Sequence, residues 1–111
     1  MPTLLQSAAT LRHRERERLR LAVRAGLRAA LRDSLPKTPV TVFGSLVKPG
    51  RFNEYSDVDL ALATEPTVMS VFQLSSLLGE RLGRRVDVVL LPECRFRARI
   101  LREGETWMPS D

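Results

Sequence analysis

The chain has 111 residues, 43% hydrophobic and 28% charged, with a net charge of +5. That is the balance of a soluble globular protein with one small core, too short for a second folded unit. No apolar run approaches the roughly 18 residues of a membrane span, and the start, MPTLLQSAATLRHRER, lacks the basic-then-apolar order of a secretory signal, so a cytoplasmic location is expected.

A single cysteine, Cys94, excludes an internal disulfide and a Cys-rich zinc site. Cys94 reads as a partly buried bystander, because the one histidine, His13, lies far away in sequence among arginines and reads as a solvated residue. Residues 1–35 hold eight Arg against Glu15, Glu17 and Asp33, whereas residues 36–111 are neutral in sum, so all the excess charge belongs to the first segment.

In chain order, residues 3–34 read as one long helix. Thr3 and Gln6 have capping-box spacing, and Leu19, Val23, Gly26, Leu27, Ala30 and Leu31 recur at the three-and-four spacing of an apolar stripe. Arg20, Arg24, Arg28 and Arg32 follow four apart and read as an outward ridge. A solvated face is expected in preference to a docking surface for an acidic partner or nucleic acid, because no aromatic residues are interleaved for base stacking.

Pro36 and Pro39 end the helix, and VTVF at 40–43 is a short strand running into Gly44. Val58, Leu60 and Leu62 alternate with Asp57, Asp59 and Ala61 as in a half-buried second strand. Ser70 with Gln73 opens a second helix that Gly83 terminates. RVDVVLL at 85–91 is the third strand and, being the most apolar, is expected at the centre of the sheet. Pro92 and Glu93 open a last short helix to about Arg102, and an edge strand is expected around Trp107. The first two strands should pair antiparallel across their loop, and the helix between the second and third permits a parallel crossover. The expected architecture is two-layer α+β: a small mixed sheet with helices packed on one face and the other face open. The whole chain, 1–111, reads as one domain, with a basic amphipathic helix at 1–35, a core at 40–91, and a helix and tail at 92–111.

Residues two apart on a strand share a face, so Asp57 and Asp59 project together, opposite Val58, Leu60 and Leu62. By parity Asp87 faces away from Val86 and Val88, and if its strand neighbours the second, three carboxylates meet on the open face. Such a cluster repels itself unless protonated or neutralised, and a hard cation such as Mg²⁺ supplies the counter-charge through oxygen ligands. Two such ions form the clamp used in phosphoryl and nucleotidyl transfer. Gly44 and Ser45, at a strand-to-loop turn, offer close backbone approach and a hydroxyl to a phosphate, and Lys48 and Arg51 stand in the loop to meet an outgoing pyrophosphate. The bland alternative is a surface hairpin in which Asp87 pairs with Arg85. It is disfavoured because a carboxylate inside RVDVVLL is costly to bury without a partner.

Gly44-Ser45, the segment Ser56-Asp57-Val58-Asp59-Leu60 and Asp87 after an intervening helix resemble the signature of the DNA polymerase β-like nucleotidyltransferase superfamily. In length the chain is similar to its minimal nucleotidyltransferases. The resemblance implies the nucleotidyltransferase fold, with Asp57 and Asp59 binding two Mg²⁺ ions and Asp87 binding the catalytic one while helping to activate the acceptor hydroxyl. It also implies that Gly44 and Ser45, with Ser56 beside them, grip the triphosphate of ATP. Many minimal members are antitoxins paired with HEPN-type ribonuclease toxins, transferring AMP from ATP to a toxin tyrosine. The resemblance therefore implies a protein partner of that kind. Two other readings stay open: an antitoxin that neutralises its partner by contact alone, and transfer to a nucleic acid or small molecule.

Overall fold

The computed structural model describes residues 3–110. Helix α1 spans Leu4–Ser34, and the strands are β1 (Val40–Phe43), β2 (Val58–Leu62), β3 (Val86–Leu90) and β4 (Glu105–Trp107). Helices α2 (Val71–Leu82) and α3 (Arg97–Glu103) flank β3, and 3-10 turns follow β1 at Gly44–Val47 and β3 at Leu91–Glu93.

The helix signals act as their chemistry requires. The Thr3 hydroxyl accepts from the Gln6 N–H at 3.1 Å while the Gln6 side chain accepts from the Thr3 N–H at 2.7 Å. Ser70 and Gln73 repeat the arrangement on α2. Each box satisfies backbone donors that a helix start leaves unpaired. Helix α1 gives way at Leu35, where the Pro36 ring disfavours a helical backbone. Helix α2 stops at Gly83, whose φ of +65° is the left-handed cap that glycine adopts without steric penalty.

The sheet order is β3-β2-β1-β4. Strand β1 pairs antiparallel with both β2 and β4, and β2 pairs parallel with β3, so the sheet is mixed as expected. Val40, Val42, Val58, Leu60, Leu62 and Val86 form one face, packed on Val23, Leu27, Ala30 and Leu31 of α1 and Leu74 and Leu78 of α2. Each buried Leu or Val contributes about 1.5–3 kcal/mol. On the opposite face, Ile100 of α3 packs with Ala61, Phe43 and Val89, covering that face in part and leaving the rest open. No helix among the described residues is long and apolar enough to cross a membrane.

Two expectations are overturned. Strand β3 is an edge strand, and the centre belongs to β2 and β1. Its apolar run arises because α2 lies on one face while Val89 joins the α3 cluster on the other, so each face of the strand has apolar residues to cover in part even at the edge.

The arginine ridge is the second. Arg20 donates to the Leu46 carbonyl at 3.1 Å, and Arg24 forms a fork with the Glu105 carboxylate at 2.8 and 3.2 Å. Arg28 lies over the Trp107 ring at 4.2 Å, and Arg32 donates to the Pro109 carbonyl at 3.3 Å. The ridge therefore faces the turn after β1, β4 and the segment beyond it. Its guanidinium groups hold the C-terminal strand to the long helix through charge-assisted and cation–π contacts. Replacing Arg24 or Arg28 with Ala should lower stability by about 1–2 kcal/mol in urea unfolding, whereas Arg14→Ala or Arg18→Ala should stay within about 0.5 kcal/mol.

Candidate active site

Strand β1 delivers the chain to Gly44, where φ is +77°. A Cβ at this position would stand 2.5 Å from Oδ2 of Asp59, closer than any side chain tolerates. Glycine is favoured first by the left-handed backbone, and a side chain here would also push the Asp59 carboxylate aside. The turn that follows is anchored by Leu46, which is fully buried.

The loop into β2 is held by its own polar groups. The Ser56 hydroxyl accepts from the Asn53 N–H at 3.0 Å, and the Asn53 side chain accepts from the Tyr55 N–H at 2.8 Å. Arg84, at the entry to β3, donates to the carbonyls of Ser56 at 2.8 Å and Asn53 at 3.3 Å while lying over the buried Phe52 ring at 4.7 Å. The Val58 N–H donates to the Arg85 carbonyl at 3.0 Å, which locks the start of β2 to β3. Arg84 thus braces the loop that leads into Asp57, a role no sequence motif displays.

Asp59 and Asp87 are directly paired in the parallel register of β2 and β3, and both project from the partly open face. They line a cleft of about 680 Å³ together with Gly44 and Lys48. Burial, then the Asp87 charge, then that of Asp57 push the Asp59 carboxyl up from its ordinary 3.8 to about 6, and Arg85 only partly offsets this. Asp57 stands one residue ahead of β2 and does not line the cleft, although its charge is felt at Asp59.

Asp87 is less buried than its apolar neighbours imply. It is on an edge strand, its side chain keeps 38% exposure, and Arg85 Nε donates to it at 3.1 Å. The pairing with Arg85 is therefore real and coexists with the facing pair of aspartates. Ser45, Ser56 and Arg51 do not line the cleft. Ser56 serves the loop turn, and the Arg51 backbone N–H donates to the Lys48 carbonyl at 3.1 Å while its side chain is exposed. In their place the structure brings in Phe72, Phe96, Arg99 and Glu103, contributed by α2, α3 and the loop before α3.

Among the described residues, no three carboxylate, imidazole or thiolate groups close on one point at ligand distance. Asp59 and Asp87 nevertheless suit Mg²⁺, which takes hard oxygen ligands and commonly uses one or two carboxylates, completing its shell with water and substrate phosphates. Two like charges held side by side on a half-open face are the chemistry that a divalent cation relieves.

Gly44→Ala should lower stability by about 1–3 kcal/mol in urea unfolding, because it combines left-handed strain with a clash against Asp59. A pH test follows from Asp59. Its folded pKa of about 6 lies above the ordinary 3.8, so its contribution is favourable below pH 3.8 and is lost as pH rises through 6. Glu17 and Glu105, held low by Arg20 and Arg24, act in the opposite direction, so the informative quantity is a difference between proteins. In EDTA, Asp59→Asn should be more stable than the parent at pH 7.5 by about 1 kcal/mol after allowance for solvent screening, and the gap should close by pH 4.

The model of the family described as polymerase beta, nucleotidyltransferase matches residues 36–111, more than half of the chain. Among solved structures, one described as a toxin-antitoxin with AMP-PNP is 26% identical with a TM-score of 0.58, covering 75% of this chain and 71% of that one. Another, the toxin-antitoxin MntA-HepT, is 25% identical with a TM-score of 0.47, covering 71% of this chain and 64% of that one. No curated protein sequence matches. With the paired aspartates, the glycine turn and the mixed sheet in place, the chain belongs to the polymerase beta nucleotidyltransferase family.

Proposed function

We propose that the protein transfers AMP from ATP to a hydroxyl of a partner protein, as the antitoxin of a HEPN-type toxin. The observation that carries the reading is the in-register pair Asp59 and Asp87 beside Gly44 in one cleft. The similarity to a toxin-antitoxin structure described with AMP-PNP supports both the adenine nucleotide and the protein acceptor.

In this reading ATP lies in the cleft, with its phosphates near the Gly44–Ser45 turn beside Asp59. The acceptor hydroxyl oxygen forms a bond to the α-phosphorus, the bond from that phosphorus to the bridging oxygen breaks, and the electron pair leaves with pyrophosphate. Asp87 receives the acceptor's proton, and Lys48 meets the charge growing on pyrophosphate. Asp57, Asp59 and Asp87 would hold Mg²⁺, which when bound neutralises charge on the reacting phosphates. Asp57 would join from the lip of the cleft. Asp87 is on an edge strand and its side chain keeps 38% exposure beside Arg85, so an incoming acceptor can reach it.

The nucleic-acid alternative loses its main feature, because Arg20, Arg24, Arg28 and Arg32 are committed to contacts within the chain. Incubation with α-labelled ATP, Mg²⁺ and the protein encoded beside this one should label that protein. Asp59→Asn should cut the labelling at least about 100-fold. No label in the parent reaction would sink the proposal, and so would labelling by a triple Asp57, Asp59 and Asp87→Asn variant. Neutralisation of the partner by that triple variant would instead point to an antitoxin that acts by contact.

A further inference from the structure

Glu103 stands in the cleft at a position that helix energetics does not favour. It is the last residue of α3, where an anion faces the partial negative charge of the carbonyl end. Its Oε2 accepts from Arg99 Nε at 3.2 Å, in the order of basic then acidic residue four apart that is the weaker of the two helical arrangements. Lys48 Nζ, from the loop after the glycine turn, stands 3.9 Å from the same oxygen. Two cations from segments far apart in sequence therefore converge on one carboxylate oxygen inside the cleft that Asp59 and Asp87 line.

The placement is built into the backbone. At Gly104, the next residue, a Cβ would lie 2.7 Å from the Ile100 carbonyl oxygen and 2.9 Å from both the Thr41 side chain and the Val42 carbonyl oxygen. Only glycine lets the end of α3 press onto β1, and this holds Glu103 against the mouth of the cleft. The two cations keep its carboxyl below the ordinary range, Arg99 first by its hydrogen bond and Lys48 by charge.

We propose that Lys48 and Arg99 form the subsite for the β- and γ-phosphates of the nucleotide, and that Glu103 occupies it as an internal competitor displaced when the triphosphate enters. The proposal deepens the nucleotidyl-transfer reading and rests on it for the identity of the ligand. It replaces the expected Arg51, which lies outside the cleft, with Arg99, which no motif marks. The exchange is accessible because Arg99, Lys48 and Glu103 side chains are all 41% or more exposed, and solvent-exposed pairs of this kind are held by less than about 1 kcal/mol. A polyphosphate offers the same two cations several negative charges in place of one. Swinging Glu103 out to solvent removes the repulsion its carboxylate would exert on that anion.

The test is calorimetric binding of pyrophosphate and, separately, of AMP, each with Mg²⁺ at low salt. Glu103→Gln should tighten pyrophosphate about threefold, with the gain shrinking as salt rises. Arg99→Gln should weaken pyrophosphate about tenfold. AMP, which lacks the outer phosphates, should change less than about twofold in either variant. Lys48→Gln serves as the second cation variant, and because all three residues are exposed, melting temperatures should stay close to the parent's. Pyrophosphate affinity unchanged in Glu103→Gln, or AMP affinity moving in step with it, would overturn the proposal. The two readings fail separately. A responsive pyrophosphate site without labelling of any partner removes the transfer reaction, whereas labelling with an unresponsive site removes only the role of Lys48, Arg99 and Glu103.

Discussion

The candidate site depends on two carboxylates being held side by side. Asp59 and Asp87 face each other across parallel strands, and each is costly there: Asp59 is partly desolvated, and each charge raises the energy of the other. A fold under selection for stability alone would place apolar or neutral residues at these positions. The surrounding features are consequences of keeping the pair in place. Gly44 has no side chain because the Asp59 carboxylate fills the space a Cβ would need. Arg85 partly neutralises Asp87 on the exposed side, and Arg84 braces the loop that leads to Asp57. The strain is local and the bracing is spread over the neighbouring chain, the pattern expected of a site whose geometry serves a ligand.

Around that pair the protein uses its positive charge in two ways. The excess charge lies in the first 35 residues, yet much of it is engaged within the molecule, with Arg20, Arg24, Arg28 and Arg32 fastening the turn after β1 and the C-terminal strand to α1. The cations that reach the cleft come from the neutral remainder: Lys48, Arg85 and Arg99. A net charge computed over a segment therefore says little about where the molecule presents a positive surface. What matters is which acidic and aromatic groups the fold brings opposite each cation, and here Glu105 and Trp107 lie some eighty residues away in sequence.

Much of the fold was legible in the sequence because it rests on local chemistry. The capping boxes at Thr3 and Ser70, the Gly83 stop, the helix end ahead of Pro36, the antiparallel first pair and the short strand at Trp107 all follow from residues a few positions apart. Parity, with the expectation that the second and third strands are neighbours, put Asp57, Asp59 and Asp87 on a common face, and the register bears this out for Asp59 and Asp87. The misread features share one cause. The position of β3 at the edge and the inward turn of the arginine ridge depend on which element lies opposite, which no window of neighbouring residues contains. The same limit separated Lys48, which lines the cleft, from Arg51 three residues later, which does not.

The sequence by itself determined the element order, the α+β class and the resemblance carried by Gly44-Ser45, Asp57, Asp59 and Asp87. These rest on backbone stereochemistry and on the two-residue and 3.6-residue periods that any strand or helix must obey. Only the tertiary structure decided that Asp59 and Asp87 form the facing pair in the cleft while Asp57 stays outside its lining. It likewise decided that Arg99 and Glu103 stand at the cleft and that the ridge is an internal fastening. Each of those outcomes depends on distances between segments far apart in the chain, and such distances are set by how α1, α2 and α3 pack on the sheet rather than by any residue's own preference.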